Sequence, residues 1–145
     1  WARSELSMVN SQLLIVNGKK GASIVAKGDD IEERLIDFAV RVVKVCDSLP
    51  QTYAGRHLAN QLLRSGTSAA ANYAEARGGE SANDFIHKLK ICLKELNETS
   101  VWLRIITRSD IFPEHKINDL LQECQELARI INASIRTTKS HPTTR

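Results

Sequence analysis

The amino-acid sequence predicts an all-α protein, an antiparallel up-down-up-down four-helix bundle. Four segments carry apolar residues at alternating steps of three and four, the spacing that places side chains on one stripe of a helix. The connections between these segments are short, at Pro50, at Gly78-Gly79 and over residues 109–112, so consecutive helices must run antiparallel. The 145 residues are enough for one domain with its own core.

The first predicted helix has a wide apolar face. Asp29 or Asp30 can cap its amino terminus, and Pro50 ends it. Its main stripe consists of Ile31, Leu35, Phe38, Val42, Val45 and Leu49. We expect residues 1–28 to form an arm outside the bundle, because two short apolar segments flank a turn-forming stretch there and predict a β-hairpin. An isolated hairpin is marginally stable in water. We therefore expect a loosely attached arm, a strand pair that a neighbour in an oligomer completes, or a sequence foreign to the native domain.

The second helix is predicted to begin near residues 52–55 and to end before Gly78-Gly79. Its inner stripe, which is unusually small and polar, is Leu58, Leu62, Ser65, Ala69, Asn72 and Ala76. The segment 65–71 offers little side-chain bulk. A neighbouring helix is therefore expected to approach closely at this point.

The third helix is the clearest element of the sequence. Ser81 and Asp84 resemble a capping box at its start. Its seam consists of Phe85, Leu89, Cys92, Leu96, Thr99, Leu103 and Ile106. Further apolar residues widen this surface, which indicates more than one partner helix. Trp102 falls within the apolar pattern, as Phe85 does, and this favours core or subunit contact over base stacking.

Pro113 is predicted to be the first residue of the fourth helix. The apolar stripe of this helix consists of Ile117, Leu120, Cys124, Leu127, Ile131 and Ser134. The chain is expected to fray after Thr137. The predicted organisation is therefore an arm over 1–28, a bundle over 29–138 and a flexible tail over 139–145.

Composition and the cysteines favour a cytoplasmic protein. The formal net charge of +3 permits a nucleic-acid partner without demonstrating one. Cys46, Cys92 and Cys124 are far apart within apolar helical patterns, which is typical of reduced core thiols. No stretch approaches the roughly 18 apolar residues of a membrane span, and no signal-peptide pattern appears.

No catalytic, cofactor or metal motif is apparent. The four histidines lack metal-binding spacing, and neither Cys-x-x-Cys nor His-Glu-x-x-His occurs. Gly78-Gly79 reads as a helix stop rather than a phosphate loop. We expect no enzymatic activity, no cofactor and no metal.

Five polar residues stand out on the second and third helices: Arg64, Asn72, Glu75, Glu95 and Glu98. Carboxylates on two helices of a bundle can hold two metal ions, but such sites usually carry a Glu-x-x-His motif on each of two helices. Neither copy is present. A structural hydrogen-bond network around a buried Asn72 is the favoured interpretation.

Basic residues form two candidate nucleic-acid surfaces. On the third helix, His87 shares a stripe with Lys90, Lys94, Arg104 and Arg108. Either this stripe follows a phosphate backbone, or it is a solvated face of ion pairs, since residues 80–110 hold five Lys/Arg and five Asp/Glu. The second surface belongs to residues 129–145, which contain no acidic residue. Its tentative binding residues are Arg129, Arg136 and Lys139, although cations also favour a helix carboxyl terminus.

The run over residues 61–76, together with motifs over 84–89 and 94–99, resembles the bacterial four-helix-bundle family associated with 23S rRNA intervening sequences. The resemblance covers about residues 31–137. Gly66 stands where alanine is usual, and Ala71 replaces a small residue that is often glycine. The resemblance implies a homo-oligomer, commonly a pentamer, with no known catalytic activity.

A related branch of that family serves as the accessory protein of diversity-generating retroelements, where it binds a reverse transcriptase and RNA. The leading hypothesis is therefore a cytoplasmic, homo-oligomeric bundle that binds RNA or a ribonucleoprotein through basic surface residues. The alternative is a protein-interaction scaffold or accessory subunit without direct RNA binding.

Overall fold

The structure, a computed structural model, describes residues 24–141, with side chains from residue 28 onward. Four α-helices occupy most of this range. They are α1 (Ile24–Ser48), α2 (Tyr53–Arg77), α3 (Ala82–Arg108) and α4 (Asn118–Ser140), and one 3-10 turn, Glu114–Lys116, precedes α4. Consecutive helices pack together, and α1 also contacts α4, which closes the bundle. The predicted all-α four-helix fold is confirmed.

The core consists of one apolar stripe from each helix, as the three-four spacing predicts. Leu35, Phe38 and Val42 of α1 are almost fully buried. Phe85 and Leu89 of α3 are fully buried. The fourth stripe is Ile117, Leu120, Cys124, Leu127 and Ile131, which reach the core from the start and body of α4. Burial of these side chains supplies the main favourable free energy of folding.

Helices α1 and α2 approach closely at Gly66, as the small-residue segment predicts. A Cβ atom built on Gly66 would lie 2.7 Å from Cγ1 and 2.9 Å from Cγ2 of Val42. Carbon atoms in contact are normally about 3.5 to 4.0 Å apart. The absence of a side chain at Gly66 therefore allows the fully buried Val42 to pack directly on the backbone of α2.

Hydroxyl caps fix the starts of α2 and α3. The backbone N–H of Gly55 donates to Thr52 Oγ1 at 3.0 Å. The backbone N–H of Asp84 donates to Ser81 Oγ at 3.1 Å, so the predicted cap at Ser81 is present. These bonds satisfy donors that the first helical turn leaves unpaired.

Three element boundaries differ from the sequence prediction. The second apolar segment of the predicted hairpin covers residues 22–26, but α1 begins at Ile24, so residues 24–26 are helical. The boundary predicted at residue 29 therefore lies within the helix. The other predicted strand of the arm lies outside the described residues. Pro113 has an extended backbone (ψ 127°) and precedes the 3-10 turn, and α4 itself starts at Asn118.

At its carboxyl end, α4 continues past Thr137 to Ser140. Lys139 and Ser140 are therefore helical and do not belong to the predicted tail. Thr138 is buried, which ties this last turn to the core. None of the described helices is both long enough and apolar enough to cross a membrane.

Candidate nucleic-acid interface

A polar cluster joins α2 to α3 on the outside of the bundle. The Arg64 guanidinium pairs with the Glu98 carboxylate and, at 3.3 Å, with that of Glu95. The Trp102 indole N–H also donates to Glu98 Oε1, at 3.3 Å. Three of the five residues predicted to form a polar network, Arg64, Glu95 and Glu98, therefore lie together.

The electrostatics of this cluster favour the charged forms. The bond from Arg64 lowers the pKa of the Glu98 carboxyl, and the Trp102 indole lowers it further. The same bond raises the pKa of the Arg64 guanidinium. The side chain of Arg64 is 50% exposed, whereas that of Glu95 is only 13% exposed. The two carboxylates therefore face α2 rather than open solvent.

Asn72 and Glu75 are not part of this cluster. Asn72 is half-buried, and its amide donates to the Ser68 carbonyl of the same helix at 2.8 Å. Glu75 pairs with Lys88 at 2.5 Å. The position predicted for Asn72 in the core is taken by Tyr73, which is 1% exposed. A step of four from the buried Ala69 replaces the predicted step of three.

The contact between α2 and α3 includes a buried pair of hydroxyls that the sequence analysis did not link. Thr99 Oγ1 lies 2.9 Å from Ser65 Oγ and 2.7 Å from the carbonyl O of Glu95. Both residues are fully buried. The signal in the sequence that could have linked them is that both lie on predicted inner stripes, Ser65 on that of α2 and Thr99 on that of α3. This pair, and not Asn72, is the buried polar contact between the two helices.

The exposed face of α3 is basic and carries no acidic residue. Its exposed side chains are Asn83, His87, Lys90, Lys94, Asn97, Val101, Arg104, Ile105 and Arg108. The three acidic residues of the helix, Asp84, Glu95 and Glu98, are all half-buried. The exposed acidic residues of the range 80–110, Glu80 and Asp110, flank the helix, so the charge balance along the chain does not extend to the exposed face of α3 itself.

Apart from the exposed Asp119 in its first turn, the exposed face of α4 continues this pattern. From Gln122 to the end of the helix, its exposed residues are Gln122, Gln125, Arg129, Asn132, Arg136, Lys139 and Ser140. The helix packs beside α3, since the Cys124 thiol donates to the carbonyl O of Leu96 at 3.2 Å. We name the outer surface of these two helices the α3–α4 face. All seven predicted binding residues lie on it.

Most of these cations are available to a ligand. Arg129 pairs with Glu126 of its own helix at 2.6 Å. Within residues 24–141, the other six predicted binding residues form no ion pair: Lys90, Lys94, Arg104, Arg108, Arg136 and Lys139. Unpaired exposed cations attract phosphate without first breaking an internal salt bridge.

The opposite side of the bundle has another character. Ile36, Val40 and Val43 of α1 are 38 to 47% exposed. They follow Glu32 at helical steps of four, four and three, on the flank where Glu32 reaches Arg77 of α2. Leu63 of α2 is also 38% exposed, and steps of seven place it on the flank that carries Arg77. We name these four apolar side chains the α1–α2 strip.

The chain shows no arrangement suited to metal binding among its described residues, where no three His, Cys, Asp or Glu side chains cluster. Cys46, Cys92 and Cys124 are buried and free. Burial raises the pKa of the Cys92 and Cys124 thiols to about 12 and that of Cys46 to about 11. Neutral buried thiols are poor nucleophiles.

Comparison with known proteins places this fold in a family. The family model described as 23S rRNA-intervening sequence protein matches residues 29–133, which include all of α2 and α3 and most of α1 and α4. The chain belongs to this family. The match confirms the resemblance drawn from the sequence.

A solved structure supports the same assignment. It is the crystal structure of a protein with unknown function from the S23 ribosomal protein family of Bacteroides thetaiotaomicron. It is 32% identical, with a TM-score of 0.71, and the match covers 75% of this chain and 97% of that one. No curated protein matches the chain.

Proposed function

We propose that this family member is a non-catalytic RNA-binding protein and that the α3–α4 face is its binding surface. The observation that carries the proposal is the separation of charge on α3. Its acidic side chains are half-buried, and Lys88 is held by Glu75 of α2, but four of its five cations are exposed without ion pairs to described residues: Lys90, Lys94, Arg104 and Arg108. A protein with a modest net charge can present a strongly positive face in this way.

The family supports RNA as the nucleic acid, because the description of the matching model refers to 23S rRNA intervening sequences. The reduced, buried thiols favour the cytoplasm, where RNA is present. Phosphate contacts from Lys and Arg supply affinity that does not depend on sequence and weakens with salt. The same basic surface would bind either free RNA or the RNA of a ribonucleoprotein.

Fluorescence anisotropy with a labelled RNA hairpin that carries single-stranded flanks tests the proposal. The logarithm of the binding constant should fall linearly with the logarithm of salt between about 50 and about 200 mM. Six unpaired cations set a maximum slope of about −5, at about 0.9 per phosphate contact. Absence of binding at the lowest salt would refute the proposal.

A matched pair of variants connects the binding to the α3–α4 face. Arg104→Gln with Arg108→Gln removes two charges from α3, and the slope should decrease in magnitude by about 2. Arg41→Gln with Lys44→Gln removes two exposed charges from α1. The α1 variant should bind as the parent does. Equal losses in both variants would indicate attraction by net charge alone.

A second candidate function rests on the α1–α2 strip. Four apolar side chains exposed on one flank are typical of a protein contact. The strip would join copies of the chain into a homo-oligomer, for which the family resemblance implies a pentamer, or hold another polypeptide such as a reverse transcriptase. In this alternative the protein is a scaffold or accessory subunit.

Light scattering and affinity capture discriminate between the two functions. A scaffold should retain its protein partner after nuclease treatment and at high salt, whereas a contact through RNA should be lost. Val40→Glu places a charge in the strip and should lower the solution mass if copies associate there. A solution mass equal to that of one chain in the parent protein would contradict the homo-oligomer.

A further inference from the structure

We infer that the α3–α4 face binds the A-form duplex of RNA across its minor groove, in preference to an unpaired strand. This inference rests on the proposed function and names the form of RNA that the face fits. It is carried by three properties of the surface: its aromatic content, the placement of its cations and the amide side chains between them.

The first property is the lack of a stacking platform. Proteins that bind single strands usually stack successive bases on aromatic side chains. No exposed residue of α3 or α4 is Phe, Tyr or Trp. Phe85 is fully buried, and Trp102 is half-buried with its N–H on Glu98. The imidazole of His87 is the one aromatic ring exposed on α3 and α4, so successive unpaired bases would find no series of aromatic faces on this surface.

The second property is the arrangement of the cations in two rows. Lys90 and Arg108 lie at the ends of a row on α3 that is about 27 Å long, at about 1.5 Å per residue. A second row on α4, whose axis lies at the usual distance between packed helices of about 8 to 10 Å, holds Arg136 and Lys139. Because the two helices are antiparallel and Cys124 contacts Leu96, this second row lies beyond the Lys90 end of the first. Two rows of positive charge can contact the phosphates on both sides of a groove. A single strand presents only one line of phosphates.

The third property is the presence of amides between the cations. Leu96 and Cys124 are in contact, so the next residue of each helix, Asn97 and Gln125, lies at a similar level in the middle of the face. Both are exposed. An amide both donates and accepts hydrogen bonds, as the 2′-hydroxyl does. The minor groove of an RNA duplex is wide and shallow and displays 2′-hydroxyls.

Together these properties describe recognition by shape, phosphate and 2′-hydroxyl contacts rather than by base stacking. The expected ligand is a continuous RNA duplex. B-form DNA and an unstructured strand do not present the same groove shape and 2′-hydroxyl groups. Sequence should have little influence, because phosphate contacts carry no sequence information.

Competition anisotropy at fixed salt tests the inference with four probes. They are an RNA duplex of about 16 base pairs, one of its strands made unable to pair, the DNA duplex of the same sequence, and the flanked hairpin used above. The RNA duplex should bind about tenfold more tightly than the single strand and more tightly than the DNA duplex. Tighter or equal binding of the single strand, or equal binding of the DNA duplex, would overturn the inference while RNA binding itself remained.

A pair of amide variants tests the central contacts. Asn97→Ala with Gln125→Ala should weaken binding of the RNA duplex by about tenfold, since two hydrogen bonds are lost. The salt slope should not change. Asn60→Ala removes an exposed amide of α2 and serves as the control. Unchanged affinity for the RNA duplex in the double variant would also overturn the inference. If the parent protein bound none of the RNA probes, that result would instead refute the proposed function.

Discussion

Replacing Gly66 by alanine tests the close packing of α1 on α2. The new methyl carbon would lie 2.7 and 2.9 Å from the two γ-carbons of Val42, about 0.6 to 1.3 Å inside a normal contact. Val42 is fully buried and cannot turn into open space. The helices must therefore move apart, or the Val42 side chain must leave its preferred rotamer.

Two opposing effects determine the magnitude. Overpacking a core costs about 1 to 3 kcal/mol. Alanine in place of glycine inside a helix returns about 1 kcal/mol. We expect Gly66→Ala to lower the free energy of unfolding by about 1 kcal/mol, which corresponds to a fall in Tm of about 2 to 4 °C for a chain of this size.

A double-mutant cycle separates the two effects. Val42→Ala alone should cost about 2 kcal/mol through lost burial and a cavity. In that background the methyl group of Gly66→Ala has room, so only the helix-propensity gain remains. The coupling free energy between the two sites should therefore be about 2 kcal/mol and favourable to the double variant.

Urea denaturation followed by circular dichroism measures these values, with the slope of the transition checked for constancy. Gly78→Ala is the matched control, because a Cβ there would meet its nearest atoms at 3.6 and 3.8 Å. It should change stability by less than about 0.5 kcal/mol. Stabilisation by Gly66→Ala, or a coupling energy of zero, would refute the close contact with Val42.

Three further predictions concern buried polar groups. Thr99→Val removes the hydrogen bond between the two buried hydroxyls and should cost about 1 to 2 kcal/mol in urea denaturation, whereas adding Ser65→Ala should cost less than the sum of the single changes. Cys46, Cys92 and Cys124 should react with a thiol reagent only at the rate of unfolding, because all three are buried. Stability should fall above about pH 9, since an unfolded thiol ionises there while burial raises the pKa of Cys92 in the folded protein to about 12.

The sign of the alkaline effect follows from the proton balance. A folded state that holds a thiol proton more tightly has its full advantage below the unfolded pKa and loses it as the pH rises, by at most about 1.4 kcal/mol per pH unit for each thiol. Cys92→Ala should reduce this dependence. Burial also raises the pKa of Tyr73. Part of the pH dependence of stability should therefore remain above about pH 10 in the Cys92→Ala variant. A stability independent of pH between about 8 and about 11 would contradict the burial of these groups.

The sequence predicted most of the fold because helical periodicity is local. The stripes of α3 and α4 are buried as their three-four spacing indicates, and so are four of the six residues of the α1 stripe, whereas Ile31 and Val45 are half-buried. Both hydroxyl caps lie where the sequence placed a helix start, with Thr52 at the beginning of the predicted range and Ser81 at the predicted position. Each of these features depends on residues within a few positions of one another, and no tertiary information is required.

The errors arose where periodicity permits two answers. After Ala69, Asn72 and Tyr73 stand three and four residues away, and either step continues the stripe. The small polar character of α2 favoured Asn72. The structure buries Tyr73 because the space facing α2 accommodates a large ring, which removes more apolar area from water. Only the neighbouring helices contain that information.

The start of α4 shows the same limit at a boundary. Proline suits the first turn of a helix, but it suits extended and turn conformations as well. Pro113 adopts the extended form, and Ile117 enters the core before the regular helix begins at Asn118. The connection from α3 is thus longer than predicted, because it must bring Ile117 to a buried position.

The candidate site was the least predictable part, because charge along a chain does not reveal charge on a face. Residues 80–110 are balanced in sequence, yet Glu95 and Glu98 turn towards Arg64 of α2 while four of the five cations of α3 are exposed. Helical geometry gives the angle between the acidic and the basic side chains around α3. Which of them face solvent is known only once the helices that pack against α3 are known. The proposed RNA binding therefore rests on the separation of these charges around α3, which the balance along the chain conceals.

The two proposed surfaces lie on different pairs of helices. Since α1 contacts α2 and α4, and α3 contacts α2 and α4, the α1–α2 strip and the α3–α4 face are on opposite sides of the bundle. A second copy that packs its own strip against this one, or another polypeptide seated there, would therefore leave the basic face open. Assembly would then add basic faces without covering any of them, and affinity for a long RNA would rise through multivalency rather than through new contacts.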